Sequence, residues 1–103
     1  MSKISLIAKL TAADGKADEL AAALTELIAA AESEPGLEIY SANVAADDPN
    51  TFYFFELYAD QAALEVHGKA EPMVGAMKAL GGLLAGRPEV TMMSPVVAKG
   101  LDL

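Results

Sequence analysis

Apolar and polar residues alternate at the start of the chain, with Ile4, Leu6, Ala8 and Leu10 set against Lys3, Ser5, Ile7 and Lys9. A period of two is the signature of a strand with one apolar face. Asp14 and Gly15 mark a turn, and from about Lys16 the period lengthens. Leu20, Leu24, Leu27, Ile28 and Ala31 fall at helical spacing in an alanine-rich segment that Pro35 and Gly36 end. LEIYSANVAA reads as a second strand, and DDPN at Asp47 to Asn50 as a turn. TFYFFELYA is the most β-prone stretch of the chain, so these two strands form a hairpin. Asp60 is placed to cap a short helix through Leu64 and His67, closed by Gly68. Pro72 opens another helix carrying Met73, Met77, Leu80 and Leu84, which the Gly81–Gly82 pair should weaken or bend. EVTMMSPVV is the last strand, and Pro95 suits an edge or a bulge.

The order βαββααβ predicts one domain over residues 1–103. It is a ferredoxin-like α+β sandwich, with a four-stranded antiparallel sheet and helices packed on one face. The third strand is apolar on both sides, with Phe52, Phe54 and Tyr58 on one and Tyr53, Phe55 and Leu57 on the other. A sheet with one wet face alternates apolar and polar residues. This strand therefore predicts a covered second face, and a second copy of the chain is the economical cover, giving a homodimer.

Composition narrows the partners. Fifteen acids against seven bases give a net charge of −8, which opposes nucleic acid and anionic membrane surfaces, since both are bound by clustered Lys and Arg. The absence of cysteine removes disulfides, thiolate nucleophiles and thiolate metal sites, and one histidine makes no metal centre. No apolar run reaches the roughly 20 residues of a membrane span and the N-terminus lacks a signal-like core, so a cytoplasmic protein is expected. No glycine-rich phosphate loop follows a strand.

The candidate chemistry lies in a few residues. His67, three positions after Leu64, sits on or beside the buried side of its helix. It is either a structural histidine or an acid–base group aimed into a pocket. Glu56 interrupts an aromatic strand on the face of Phe52, Phe54 and Tyr58, and a buried acid there needs a partner. It either pairs with Lys9 or Lys3 on the first strand or orients His67 or a substrate. Tyr40, Tyr53 and Tyr58 carry hydroxyls that either pack in the core or interface or meet a ligand oxygen. Asn43 either binds a ligand carbonyl or serves a turn. Met73, Met77, Met92 and Met93 offer adaptable packing against a flat apolar ligand.

Glu34-Pro35-Gly36, Tyr40, Asp48-Pro49-Asn50, Glu56-Leu57-Tyr58 and His67, in that order, resemble the antibiotic biosynthesis monooxygenase family of dimeric α+β barrels. Element order matches over nearly the whole chain. The resemblance implies one pocket per subunit between sheet and helices, and a cofactor-independent oxygenation of a quinol or anthrone by O₂. His67 would then be the base, Tyr58 or Asn43 the oxygen-binding donor, Glu56 the orienting group, and Phe52, Phe54, Met73 and Met77 the walls. The chain also departs from the family pattern. Tyr58 stands where a Trp is usual, and Met73 where a second His is common. Ala8 stands at the haem-degrading branch's Asn, and Ala76 or Met77 at its haem-ligating His. The family also includes an isomerase of a phosphorylated hydroxyketone, whose substrate would call for basic residues. A non-catalytic binding or stress-response dimer is a further reading, since one fold hosts many functions.

Overall fold

The computed structural model describes residues 2–101. Seven elements follow in the order β1 (Ile4–Thr11), α1 (Ala17–Ala31), β2 (Leu37–Ala45), β3 (Asp48–Tyr58), α2 (Gln61–Lys69), α3 (Glu71–Lys78) and β4 (Glu89–Met93). The strands form one antiparallel sheet in the order β2-β3-β1-β4. This is the ferredoxin-like α+β arrangement that the element order predicts, with β4 at an edge and Pro95 just beyond its end.

Register decides which side chains meet. Leu6, Ala8 and Leu10 of β1 stand opposite Glu56, Phe54 and Phe52 of β3, and Glu56 and Phe54 in turn face Tyr40 and Ala42 of β2. Strand residues alternate between faces, so Glu56 shares the helix-covered layer with Phe52, Phe54 and Tyr58. Leu20, Leu24, Leu27 and Ala31 of α1, spaced by three or four residues, are buried against that layer. Burial of these side chains contributes roughly 1.5–3 kcal/mol for each leucine. Asp18 and Glu19 in the first turn of α1 suit the positive end of its dipole. Gly15, with φ of 72°, makes the turn into this helix.

Several boundaries differ from the sequence expectation. The hairpin turns at Ala46–Asp47, and Asp48 already belongs to β3. The Asp48 carboxylate accepts from the Asn50 amide at 2.9 Å and the Thr51 hydroxyl at 2.7 Å, so this acid fixes the strand's start instead of the turn's tip. Gly68 lies inside α2, which continues to Lys69 because glycine weakens a helix without ending it. Asp60 caps α2 as expected, accepting from the Ala63 amide at 2.9 Å. Helix α3 ends at Lys78, before the glycine pair, leaving Leu80 and Leu84 in a turn-rich segment. That segment is tied to the end of β1: the Ala13 amide donates to the Leu83 carbonyl and the Ala85 amide to the Thr11 carbonyl, both at 2.8 Å. Among the described residues, no helix is long and apolar enough to cross a membrane.

The link from α1 to β2 determines where α2 docks. The Leu37 amide donates to the Glu34 carbonyl at 3.1 Å, closing a turn with Pro35 and Gly36 at its centre. Gly36 is required for close approach, because a Cβ there would stand 2.6 Å from the Ala63 Cβ of α2. The Ala59 amide donates to the Gly36 carbonyl at 2.8 Å on the way into the same helix. We expect Gly36→Ala to lower unfolding free energy by about 1–3 kcal/mol, as overpacking does. Gly68→Ala, with open space at its Cβ, should be neutral or raise stability by about 0.5–1 kcal/mol. Urea midpoints of the two variants, determined side by side, check the contrast.

Candidate active site

Between the sheet and the helices lies a cavity of about 420 Å³. Leu6, Ala8 and Phe54 form its floor, while Leu64, Leu80 and Leu84 stand among its walls. Met77 and Val90, 44% and 55% exposed, mark its open side. The polar side chains on its lining are Tyr40, Glu56, Tyr58 and His67, with no Lys or Arg among the described lining residues.

The register of β3 places Glu56 and Tyr58 on the same face, two residues apart, and the Tyr58 hydroxyl donates to Glu56 Oε1. Burial raises the Glu56 carboxyl above its ordinary pKa of 4.5, while the Tyr58 hydrogen bond and the nearby His67 oppose that rise. Burial is also the main cause that raises the phenols of Tyr40 and Tyr58. The Glu56 hydrogen bond adds to the effect at Tyr58, and the carboxylates of Glu56 and Glu34 add to it at Tyr40. Both tyrosines therefore keep their protons at neutral pH and act as O–H donors.

His67, 4% exposed, is the buried residue of α2. Its Nδ1 lies 3.0 and 3.3 Å from the two carboxylate oxygens of Glu34, itself 8% exposed. The rings of Tyr40 and Tyr58 meet the imidazole edge-on at centroid distances of 5.1 and 5.5 Å. Tyr40 also stacks on Phe54 at 4.7 Å. His67 Nε2 is buried with no hydrogen-bond partner among the described residues. Leaving such an atom unpaired costs on the order of 1–3 kcal/mol.

The structure thus gathers His67, Glu56, Tyr58, Phe54 and Met77 around one cavity. It does not bring the other expected residues there. Asn43 lies one residue out of phase with Ala42 and Val44. Its amide is exposed and donates to the Ser41 and Tyr53 carbonyls on the opposite sheet face. Phe52 shares the helix-facing side but sits farther along β3, in a groove with Leu24, Ile28 and Val44. Met73 is fully buried in the core behind the cavity, its Sδ 3.8 Å from the Tyr40 hydroxyl. Glu56 pairs with neither expected lysine. Lys3 reaches Glu38 at 2.5 Å and Lys9 reaches Glu89 at 4.0 Å, both lysines being out of phase with the helix-facing residues of β1. Glu56 does not hold His67 by a hydrogen bond either; that position belongs to Glu34, which enters from the sequence only through the Glu34-Pro35-Gly36 pattern of the family resemblance. The remaining signal is chemical, since a buried lone histidine needs a partner. Among the described residues, no group of three or more His, Cys, Asp or Glu is placed to hold a metal ion.

The model of the antibiotic biosynthesis monooxygenase family matches residues 3–79, so the chain belongs to that family. No curated protein matches the chain. Among solved structures, PA3566 from Pseudomonas aeruginosa is 29% identical over 94% of this chain and 97% of its own, with a TM-score of 0.85. A "putative antibiotic biosynthesis monooxygenase" from Caulobacter crescentus is 28% identical over 93% and 92%, with a TM-score of 0.87. Rv0793 from Mycobacterium tuberculosis is 25% identical over 94% and 98%, with a TM-score of 0.86.

The raised Glu56 carboxyl carries a pH signature. A carboxyl that binds its proton more tightly when folded holds more protons than the unfolded chain between its ordinary and its raised pKa. Its contribution to stability is therefore lost as pH climbs through that window. Glu56→Gln removes this dependence. Across pH 4 to 8, the urea midpoint of the wild type should fall relative to that of the variant above about pH 4.5. Parallel curves would refute the buried-carboxyl assignment.

Proposed function

We propose that the protein is a cofactor-independent monooxygenase for a small quinol- or anthrone-type substrate bound in this cavity. The observation that carries the reading is the unpartnered, buried Nε2 of His67 beside an apolar chamber lined by protonated tyrosines. Such a nitrogen can take the proton of a substrate hydroxyl or of an activated methylene. The resulting carbanion or phenolate is electron-rich enough to reduce O₂ by one electron, and the radical pair then combines to a C–OO⁻ bond. Proton return and loss of water leave a carbonyl. One oxygen atom enters the product, and the other leaves as water with two hydrogens from the substrate. The Tyr58 hydroxyl gives its one proton to Glu56 in the ligand-free site, so it serves a developing oxyanion by turning that O–H from the carboxylate to the substrate. A phosphorylated substrate is disfavoured, because it would bury its charge in a lining with a carboxyl and no basic residue.

The homodimer belongs to the same proposal. Ile7 and Tyr53, 37% and 38% exposed on the face away from the helices, are large side chains of the kind a second copy would cover. Asn43 lies on that face and would sit at the interface instead of in the pocket.

Oxygen uptake with a panel of reduced quinols and anthrones tests the reading. We expect saturable, stoichiometric uptake above the autoxidation blank, lowered on the order of 10²–10⁴-fold in His67→Ala. Uptake unaffected by the substitution would remove His67 as the base, and no uptake across the panel would favour a binding protein.

A further inference from the structure

We infer that Glu34 is the positioning residue of this site: it holds His67 in the Nδ1–H tautomer and so keeps Nε2 free as the acceptor. The inference rests on the reading of His67 as the proton acceptor. Glu34 is absent from the cavity lining, so it acts through His67 and not on a ligand. Both its oxygens lie within hydrogen-bonding range of the same ring nitrogen, at 3.0 and 3.3 Å. A carboxylate can only accept, so Nδ1 carries the hydrogen in this contact. In a neutral imidazole the other nitrogen is then bare, and Nε2 is the atom without a partner among the described residues.

The backbone around the pair shows why it holds. Glu34 opens the turn that Leu37 closes, and Gly36 of that turn lies against Ala63, one helical turn before His67. The Ala59 amide ties the start of the α2 segment to the Gly36 carbonyl. The turn therefore fixes both the carboxylate and the helix that carries the imidazole, and neither can shift without the other. Tyr40 and Tyr58, packed edge-on against the ring, block its rotation. The tautomer is set by a contact outside the cavity, on a ring that itself lines the cavity.

The chain has one histidine, so a side-chain ¹⁵N spectrum of the whole protein reports this ring alone. We expect the ligand-free wild type at neutral pH to show a protonated Nδ1 and a bare Nε2. In Glu34→Gln, whose amide can either donate or accept, the Nε2–H tautomer should become substantially populated. With an active substrate in hand, the same variant should lose kcat on the order of 10- to 100-fold with KM little changed. If the Glu34→Gln variant fails to fold, Glu34→Asp, which keeps the charge, should retain the wild-type ring pattern. A wild-type ring protonated at Nε2 or at both nitrogens overturns the inference, as does a tautomer unchanged in Glu34→Gln. The spectrum needs neither substrate nor O₂. Failure of oxygen uptake would therefore sink the monooxygenase reading while leaving the tautomer assignment standing.

Discussion

Two carboxyl groups buried in an apolar layer set the terms for the rest of this molecule. Glu34 and Glu56 are 8% and 7% exposed, and an unpaired charge in such surroundings costs more than a whole leucine's burial returns. Each must therefore be met by a donor, and the fold is arranged so that each is. The turn after α1 brings Glu34 to His67, and the pleat of β3 brings the Tyr58 hydroxyl to Glu56. Glu56, Tyr58 and His67 line the cavity, and Glu34 stands behind the imidazole. Polar chemistry is thereby concentrated at one end of an otherwise apolar chamber.

Much of this arrangement is legible in the chain itself. Alternation in β1 and β3 assigns every residue to a face, and the observed register keeps Glu56 with Phe52, Phe54 and Tyr58. Asp60 is legible as a cap because its side chain acts within its own turn. What parity leaves open is position along the strand. Phe52 and Phe54 share a face, yet only Phe54 reaches the cavity, since α1 lies over the other. Asn43 is three residues from Tyr40, an odd step, and the alternation that locates Glu56 also puts Asn43 on the far side. Met73 required the rotational phase of α3, which an eight-residue helix entered through a proline leaves poorly marked. The Glu34–His67 pair joins residues 33 positions apart through a turn and a helix. No local pattern encodes that distance; only the requirement that a buried imidazole be partnered points to it.

The departures from the family's usual residues acquire physical content in this frame. Tyr58, in place of a tryptophan, brings a hydroxyl that a tryptophan lacks, and that hydroxyl satisfies Glu56. Met73, in place of a histidine, removes a second titratable ring and sets a polarizable sulfur beside the Tyr40 hydroxyl. The second leaves His67 as the sole imidazole, and the first sets another proton-holding phenol beside it, in addition to Tyr40. The fold locates the cavity, and these particular side chains set its chemistry.

The contact between Gly36 and Ala63 has a consequence for how such a protein can diverge. Where a turn and a helix touch with a single methyl between them, the two positions form a coupled pair: enlarging either pushes the helix outward, and the imidazole it carries moves with it. A lineage can thus trade an exposed wall residue such as Met77 at little cost to the core, since it sits on the open side of the chamber. The same lineage has almost no freedom at the small-residue seam. The chamber thus has an open rim that tolerates change and a seam that must be inherited whole.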